Sequence, residues 1–237
     1  MTTASTIIKS AETFYSMVRN NENSRYRSWE HCYKSFHDAR NTLSPDCDYL
    51  SLQPAFYLAS WGMYRGSSFL LQKDYKVHKP LVEELLKTKY DCLFGIDCIE
   101  LKKTNIQKTL TGINEYIKTF YNAIRKSVKG AEIKNELSNT LITKVLMGTF
   151  GCVPAYDRYF ISGAKKTNIT TGTYNINSLL RLADFYEENR EQLEKARGML
   201  KVYDLPYPQM KLLDMGLWLI GCDNEDSTQN ANGGIHS

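Results

Sequence analysis

The chain has 237 residues, of which 42% are hydrophobic and 12% aromatic, and its formal net charge is +4. This apolar content excludes an intrinsically disordered protein and is sufficient for one large domain with a buried core. The mild positive charge permits an anionic partner such as nucleic acid but does not require one.

The cysteines and histidines form no recognisable metal site. The six cysteines are scattered without a C-x-x-C pair, and the four histidines stand at no ligand spacing from them. The segment from Met1 to Lys9 lacks the apolar core of a secretion signal, and no stretch approaches the roughly 20 apolar residues of a membrane span. We therefore expect a soluble, cytoplasmic, monomeric protein with reduced thiols, no cofactor and no membrane contact.

The hydrophobic pattern predicts helices along most of the chain and no convincing strand. The predicted helices, in chain order, are Ser5–Val18 with Ser5 as a possible N-cap, Arg25–Arg40, Leu50–Tyr64, Lys79–Lys87, Ile106–Val128, Glu132–Met147, one beginning near Asp157, Asn175–Lys201 and Gln209–Ile220. Together they predict an all-α fold of about eight to ten helices, with residues 1–221 as a single domain. Residues 222–237 are rich in Asn, Gly, Asp and Ser, which predicts a disordered tail.

One lysine stands in an apolar helix. At about 100° per residue, Lys144 falls inside the stripe formed by Leu137, Leu141, Val145 and Gly148. The structural interpretation is a lysine that snorkels to the surface or pairs with an acid. The functional interpretation is an amine whose pKa is lowered by desolvation, which makes it a nucleophile.

Asp157 follows a proline-containing loop and precedes a predicted helix. An aspartate in this position is commonly an N-cap. It can also serve as a carboxylate beside an amine, where it orients or deprotonates that amine and stabilises a positively charged sugar. Lys144 and Asp157 are therefore expected to face one cavity.

The segments TKVL (143–146) and VPAYD (153–157) together resemble the catalytic segment of the helix-hairpin-helix DNA glycosylases. The resemblance covers roughly residues 106–160 and implies that fold, with an atypical hairpin that has one glycine in 130–136. It also implies that Lys144 is the nucleophile and Asp157 the catalytic carboxylate. The implied partner is double-stranded DNA containing a modified base, and no metal is implied.

The final helix adds a second likeness. Asp214 stands one turn before Trp218, and this arrangement is similar to the archaeal 8-oxoguanine DNA glycosylases, in which an acid and a tryptophan hold the extruded base. The structural alternative is an Asp214 that pairs with a lysine in the core. Trp61, in the segment WGMYRGSS, and Pro154 are further candidate base-binding residues.

The segment from Lys102 to Gly130 contains seven basic residues and one acidic residue. Such a helix can follow a phosphate backbone, although an ordinary solvated face has the same composition. Lys126, Lys129 and the following Lys134 are the candidate DNA-binding residues.

These features favour a DNA glycosylase, with possible AP lyase activity, that flips a modified base out of the duplex and attacks C1′. The base could be an oxidised purine, in DNA repair, or a hypermodified phage base, in antiviral defence. Two alternatives stay open. One is a non-enzymatic helical nucleic-acid-binding or interaction protein, in which Lys144 and Asp157 form a core ion pair. The other is a helical RNase or toxin, although no convincing Arg-x4-6-His motif is found.

Overall fold

A computed structural model of the chain describes residues 2–129 and 137–232, with side chains described for 2–128 and 137–223. In these ranges the fold is all-α, which confirms the predicted fold class. The helices are α1 (Thr3–Arg19), α2 (Ser28–Arg40), α3 (Cys47–Leu50), α4 (Leu52–Ser60), α5 (Lys79–Leu85), α6 (Thr104–Lys129), α7 (Asn139–Thr149), α8 (Arg158–Lys166), α9 (Ile176–Glu188), α10 (Arg190–Arg197) and α11 (Gln209–Asn232). The predicted hairpin turn at 130–136 lies outside the described residues.

Short elements fill the connections between these helices. Turns of 3-10 helix occur at Arg25–Arg27, Phe69–Gln72, Tyr75–His78, Thr88–Leu93 and Cys98–Lys102. The strand pairing in the described residues is one antiparallel ribbon of β1 (Lys201–Val202) and β2 (Leu205–Pro206). This ribbon lies between α10 and α11 and is too short for the sequence pattern to predict.

Several helix ends differ from the predicted ones. The N-cap of α1 is Thr2, whose hydroxyl accepts a hydrogen bond from the Ser5 N–H at 3.2 Å, so Ser5 is not the cap. The long helix predicted up to residue 201 is broken at Asn189, whose side chain donates to the Phe185 carbonyl at 2.9 Å. Helix α11 continues to Asn232, beyond the predicted start of the tail, and residues 233–237 lie outside the described residues.

Two helices are buried almost all round and form the centre of the domain. Residues 141–149 of α7 are all buried, and so are residues 207–218, most of which belong to α11. Helix α11 packs between α1 and α8, while α7 packs against α2, α4 and α6. A helix without a polar face lies inside the core because removing every side of it from water is favourable. None of the described helices is both long enough and apolar enough to cross a membrane.

Two glycines allow α8 and α11 to approach each other closely. A Cβ at Gly163 would overlap the carbonyl oxygen of Leu217, and a Cβ at Gly221 would overlap the carbonyl oxygen of Tyr159. The backbones of the two helices are therefore in direct contact. This contact fixes the start of α8 against α11, and both elements contribute to the site described below.

We expect Gly163→Ala to lower the free energy of unfolding by about 1–3 kcal/mol, because the added methyl group must push the two helices apart. Gly112→Ala is the matched control. No atom lies within 4 Å of a Cβ built at Gly112, which is also helical, so alanine there should stabilise the protein by about 0.5–1 kcal/mol. Urea unfolding of both variants measures the difference. Equal effects at the two positions would contradict the close helix contact.

Candidate active site

A cleft of about 290 Å³ lies where α4, α7, α8 and α11 converge. Its walls include four residues predicted from the sequence, namely Lys144, Asp157, Trp61 and Trp218. Lys144 and Asp157 thus face one cavity, as predicted, although the sequence separates them by a loop and places them on different helices.

Lys144 reaches the cleft from the buried helix α7. Its side chain is only 4% exposed, and its ammonium group has two partners. The Nζ atom donates a hydrogen bond to the Trp61 carbonyl at 2.8 Å and lies 3.4 Å from Oδ2 of Asp157. The same Nζ is 5.6 Å from the centre of the Trp61 ring, within the range of a cation–π interaction. The amine is therefore oriented, and it is largely removed from water.

The carbonyl that holds this amine is presented by the end of α4. The N–H of Gly62, at φ +80°, donates to the Ala59 carbonyl at 3.0 Å. The N–H of Met63 donates to the Leu58 carbonyl at 2.8 Å. These two bonds form a Schellman motif, which requires the left-handed backbone that glycine adopts easily. The motif reverses the chain directly after Trp61. The Trp61 carbonyl is left free of the helix and accepts the hydrogen bond from the Lys144 ammonium group.

Asp157 is the N-cap of α8, as predicted. Its Oδ1 atom accepts hydrogen bonds from the N–H groups of Tyr159 and Phe160, each at 3.1 Å. Its Oδ2 atom faces Lys144. One carboxylate oxygen therefore fixes the start of the helix, while the other lies beside the amine.

The loop before Asp157 is tied to α7. The Tyr156 N–H donates to the hydroxyl of Thr143 at 2.9 Å, and the hydroxyl of Thr140 donates to the Tyr156 carbonyl at 2.9 Å. Both threonines lie one turn or less from Lys144 on the same helix. These bonds set the position of the aspartate relative to the lysine, so the pair is held by backbone as well as by charge.

Burial moves both members of the pair toward their neutral forms. Desolvation lowers the pKa of Lys144, and the carboxylate of Asp157 partly opposes that change. Desolvation also raises the pKa of Asp157, against the opposing effects of Lys144 and the Phe160 N–H. The N-terminus of α8 favours an ionised Asp157, as expected from the sequence, whereas its burial opposes ionisation and depends on the tertiary structure. The pKa values of the two groups are therefore closer together than those of the free side chains, which makes transfer of a proton from Lys144 to Asp157 less costly.

Asp214 does not line the cleft, contrary to the sequence prediction. Its Oδ1 accepts a hydrogen bond from the Ala155 N–H at 2.9 Å, and its Oδ2 lies 2.8 Å from Nζ of Lys211. Both side chains of this ion pair are at most 6% exposed. Asp214 therefore fastens the loop to α11, because a buried carboxylate requires such partners. This is the structural alternative stated above for Asp214.

The two tryptophans of the cleft belong to an aromatic cluster. The rings of Trp61 and Trp218 meet edge to face, with centroids 5.9 Å apart. Tyr26 lies against both of them, at 5.3 Å and 5.9 Å. Tyr159 contacts Trp218 at 5.1 Å and also lines the cleft. One side of the cleft is thus an aromatic surface beside the Lys144 amine.

The other predicted site residues lie elsewhere. Pro154 is buried and does not line the cleft. Lys126 is exposed on α6 and is also outside the lining. The side chain of Lys129 and the whole of Lys134 lie outside the described residues. Of these three lysines, only the position of Lys126 is described, and it is not at the cleft.

Three arginines at the cleft were missed by the sequence analysis. Arg25, Arg65 and Arg158 are exposed and line the opening, so the described residues of the lining contribute four cationic groups and one carboxylate, that of Asp157. They come from a 3-10 helix, a loop and α8, and no local pattern links these segments. Such an excess of positive charge at an opening attracts an anionic ligand.

No protein-family model, curated protein sequence or solved structure matches this chain. These comparisons therefore assign no function to the fold or to the cleft. The chemistry of the cleft is therefore the basis for assigning one.

Proposed function

We propose that this protein is a DNA glycosylase in which Lys144 is the nucleophile and Asp157 its proton acceptor. The observation that carries this proposal is the buried amine, 3.4 Å from a carboxylate, at an aromatic cleft with a cationic opening. A purely structural ion pair explains the burial. It does not explain why the pair lies at an opening lined by arginines and by two tryptophans.

The chemistry follows from the lowered pKa of the amine. Asp157 accepts a proton from Lys144, and the neutral Nζ attacks C1′ of a deoxynucleotide. The Nζ–C1′ bond forms while the bond from C1′ to the base breaks, and the base leaves with the electron pair and takes up a proton. Opening of the sugar ring then gives an imine that joins enzyme and DNA. Loss of a C2′ proton and elimination of the 3′ phosphate from that imine nick the strand, while water releases the enzyme.

The cleft suits a single extruded nucleotide. Its volume of about 290 Å³ is close to the lower limit of roughly 300 Å³ for small-molecule pockets. The aromatic side can stack on a base, a contact that contributes about 1–3 kcal/mol in other proteins. The arginines at the opening suit the phosphates on either side of the flipped nucleotide. Duplex DNA with one modified base is therefore the substrate class, and both a repair role and an antiviral role fit this chemistry.

The test is incubation of the purified protein with a panel of duplexes, each carrying one modified base. The panel should include oxidised purines, deaminated bases and glycosylated pyrimidines, together with an unmodified control. We expect one class to release its base, with the abasic product detected by alkaline cleavage and the imine captured by borohydride. Failure to release any base or to trap on abasic DNA would contradict the proposal. Cleavage of RNA instead would favour the helical nuclease.

A further inference from the structure

We propose that the DNA strand which leaves the cleft continues along a second depression, the outer groove, and that this groove binds the sugar-phosphate backbone on one side of the flipped nucleotide. This inference rests on the proposed function and extends its DNA interface. The outer groove lies between the loop after α4 and the last turn of α6 and has a volume of about 610 Å³. Its lining includes Gly66, Ser67, Gln72, Lys73 and Ser127.

One loop forms the rim of both the cleft and the outer groove. Arg65 lines the cleft, and the next residue, Gly66, lines the outer groove. The Arg65 guanidinium lies against Gly62 in the cleft, with its Nε atom 3.0 Å from the position of a Cβ built on Gly62. No heavy atom lies within 4 Å of a Cβ built on Gly66, whose φ is +59°. A strand that passes Arg65 therefore meets an open glycine backbone, which lets a phosphate come close.

The lining of the outer groove suits a phosphate backbone better than it suits bases. Gln72 and Lys73 supply an amide and an ammonium group, both of which donate hydrogen bonds. The aromatic residue of the described lining, Phe69, is only 7% exposed, so it offers little ring surface for stacking. Donors without a stacking surface bind phosphate oxygens and do not read the sequence. Contacts in the outer groove should thus be independent of base sequence.

The positive charge of the outer groove is available to a ligand. Lys73 forms no ion pair with any described residue, and the described lining of the groove has no acidic side chain. The Oδ1 atom of the neighbouring Asp74 accepts a hydrogen bond from the N–H of Lys76 at 2.9 Å. A depression of the same volume elsewhere on the protein is lined by both Asp38 and Asp204. Of these two depressions, the outer groove is the one that suits a polyanion.

The experiment uses duplexes with a central tetrahydrofuran, an abasic analogue that cannot form the imine, and measures binding by fluorescence anisotropy. In two modified duplexes, methylphosphonates replace the second and third phosphates on the 5′ or on the 3′ side of the analogue, in the same strand. A methylphosphonate keeps the length of the strand but removes the charge of the phosphate. We expect the wild-type chain to lose more affinity for one of these two duplexes than for the other.

Variants on the two sides of the outer groove identify the contact. Lys73→Gln removes one phosphate contact, so it should weaken binding to the unmodified duplex about threefold to tenfold and lower the slope of log Kd against log salt by about one. Ser127→Asp adds a negative charge on the α6 side and should weaken binding by at least as much. Both losses should disappear on the duplex in which the contacted phosphates are already neutral. The rate of borohydride trapping at saturating natural abasic DNA should equal that of the wild type, because neither residue lines the cleft.

Lys34→Gln and Ser35→Asp are the matched controls, since they make the same two changes at the depression that contains Asp38 and Asp204. Lys34 is a partly exposed lysine, as Lys73 is, and its surface pair with Asp38 contributes little stability. Both control variants should bind every duplex like the wild type. Urea unfolding shows that all four variants are folded.

Wild-type affinity in both Lys73→Gln and Ser127→Asp, in a protein that binds and traps abasic DNA, would overturn this inference and leave the proposed glycosylase intact. Losses that persist on both methylphosphonate duplexes would also overturn it, because the two residues would then act away from the flanking phosphates. Absence of binding of the wild-type chain to the unmodified duplex would overturn the proposed function, and this inference with it.

Discussion

Replacement of Lys144 by alanine should abolish the borohydride-trapped complex with DNA, lowering its yield by at least about 10³-fold. The reason is chemical, because an imine requires a primary amine and, in the part of the chain that the structure describes, Lys144 is the lysine that lines the cleft. Lys144→Met removes the same amine and should fold better than Lys144→Ala, since it keeps an unbranched side chain in a buried position. The measurement is the amount of covalent complex on a denaturing gel.

The chain provides a matched control in Lys211→Met. Lys211 is also a buried lysine paired with an aspartate, and its Nζ lies 5.6 Å from the same Trp61 ring as that of Lys144, but it does not line the cleft. Breaking either buried pair is expected to cost about 3–5 kcal/mol, so the two variants should be destabilised to a similar degree. We expect folded Lys211→Met to trap DNA and folded Lys144→Met not to.

Other outcomes for Lys144→Met have distinct meanings. Trapping at the wild-type level would show that another amine is the nucleophile and would contradict the role proposed for Lys144. Base release without trapping would mean that the lysine is not attached to the sugar and that Asp157 activates water. Both results can be interpreted only if the variant is folded. A cooperative transition in urea unfolding shows that it is.

The helices could be predicted because their apolar periods are long and regular. Helix α6 follows from repeated steps of three and four residues, and α7 from apolar residues on every side of it. The break at Asn189 could not be predicted, because the apolar pattern continues across it and only a local backbone change marks it. Helix ends depend on caps and turns, which are set by one or two residues.

The Lys144 and Asp157 pair could be predicted since each residue violates its local pattern. A lysine in an apolar stripe must find a partner, and an aspartate before a helix begins that helix. The arginines of the opening could not be predicted, because Arg25, Arg65 and Arg158 come from three separate segments of the chain. Only their tertiary positions bring their charges together.

Asp214 shows the limit of such arguments. A buried acid one turn before a tryptophan suits base recognition as well as it suits a core ion pair. Lys211, one turn earlier, is a partner that the sequence offers, but the second partner is the N–H of Ala155, in a loop 59 residues away, and the sequence could not show it. Backbone groups carry no side-chain signature, so their contacts are invisible to a reading of residue types.

Asp157→Asn should lower the rate of base release by about 10²–10⁴-fold while leaving DNA binding within a few fold of the wild type. Asparagine is about as good an N-cap as aspartate, so α8 should still begin at the same residue. Capping and catalysis are thus separated by this one substitution. Single-turnover base release and anisotropy measure the two properties.

The pH dependence of trapping tests whether the Asp157 carboxylate raises the pKa of Lys144. The amine must be neutral to attack, so trapping should increase as pH rises through the pKa of Lys144. Burial already lowers that pKa, and the Asp157 carboxylate opposes the decrease. Removing this charge in Asp157→Asn should therefore lower the pKa of Lys144 further, which moves the rise in trapping to lower pH even though its plateau is reduced. A rise that stays at the wild-type pH, with base release at the wild-type rate, would mean that Asp157 only caps α8 and would contradict its role as the proton acceptor.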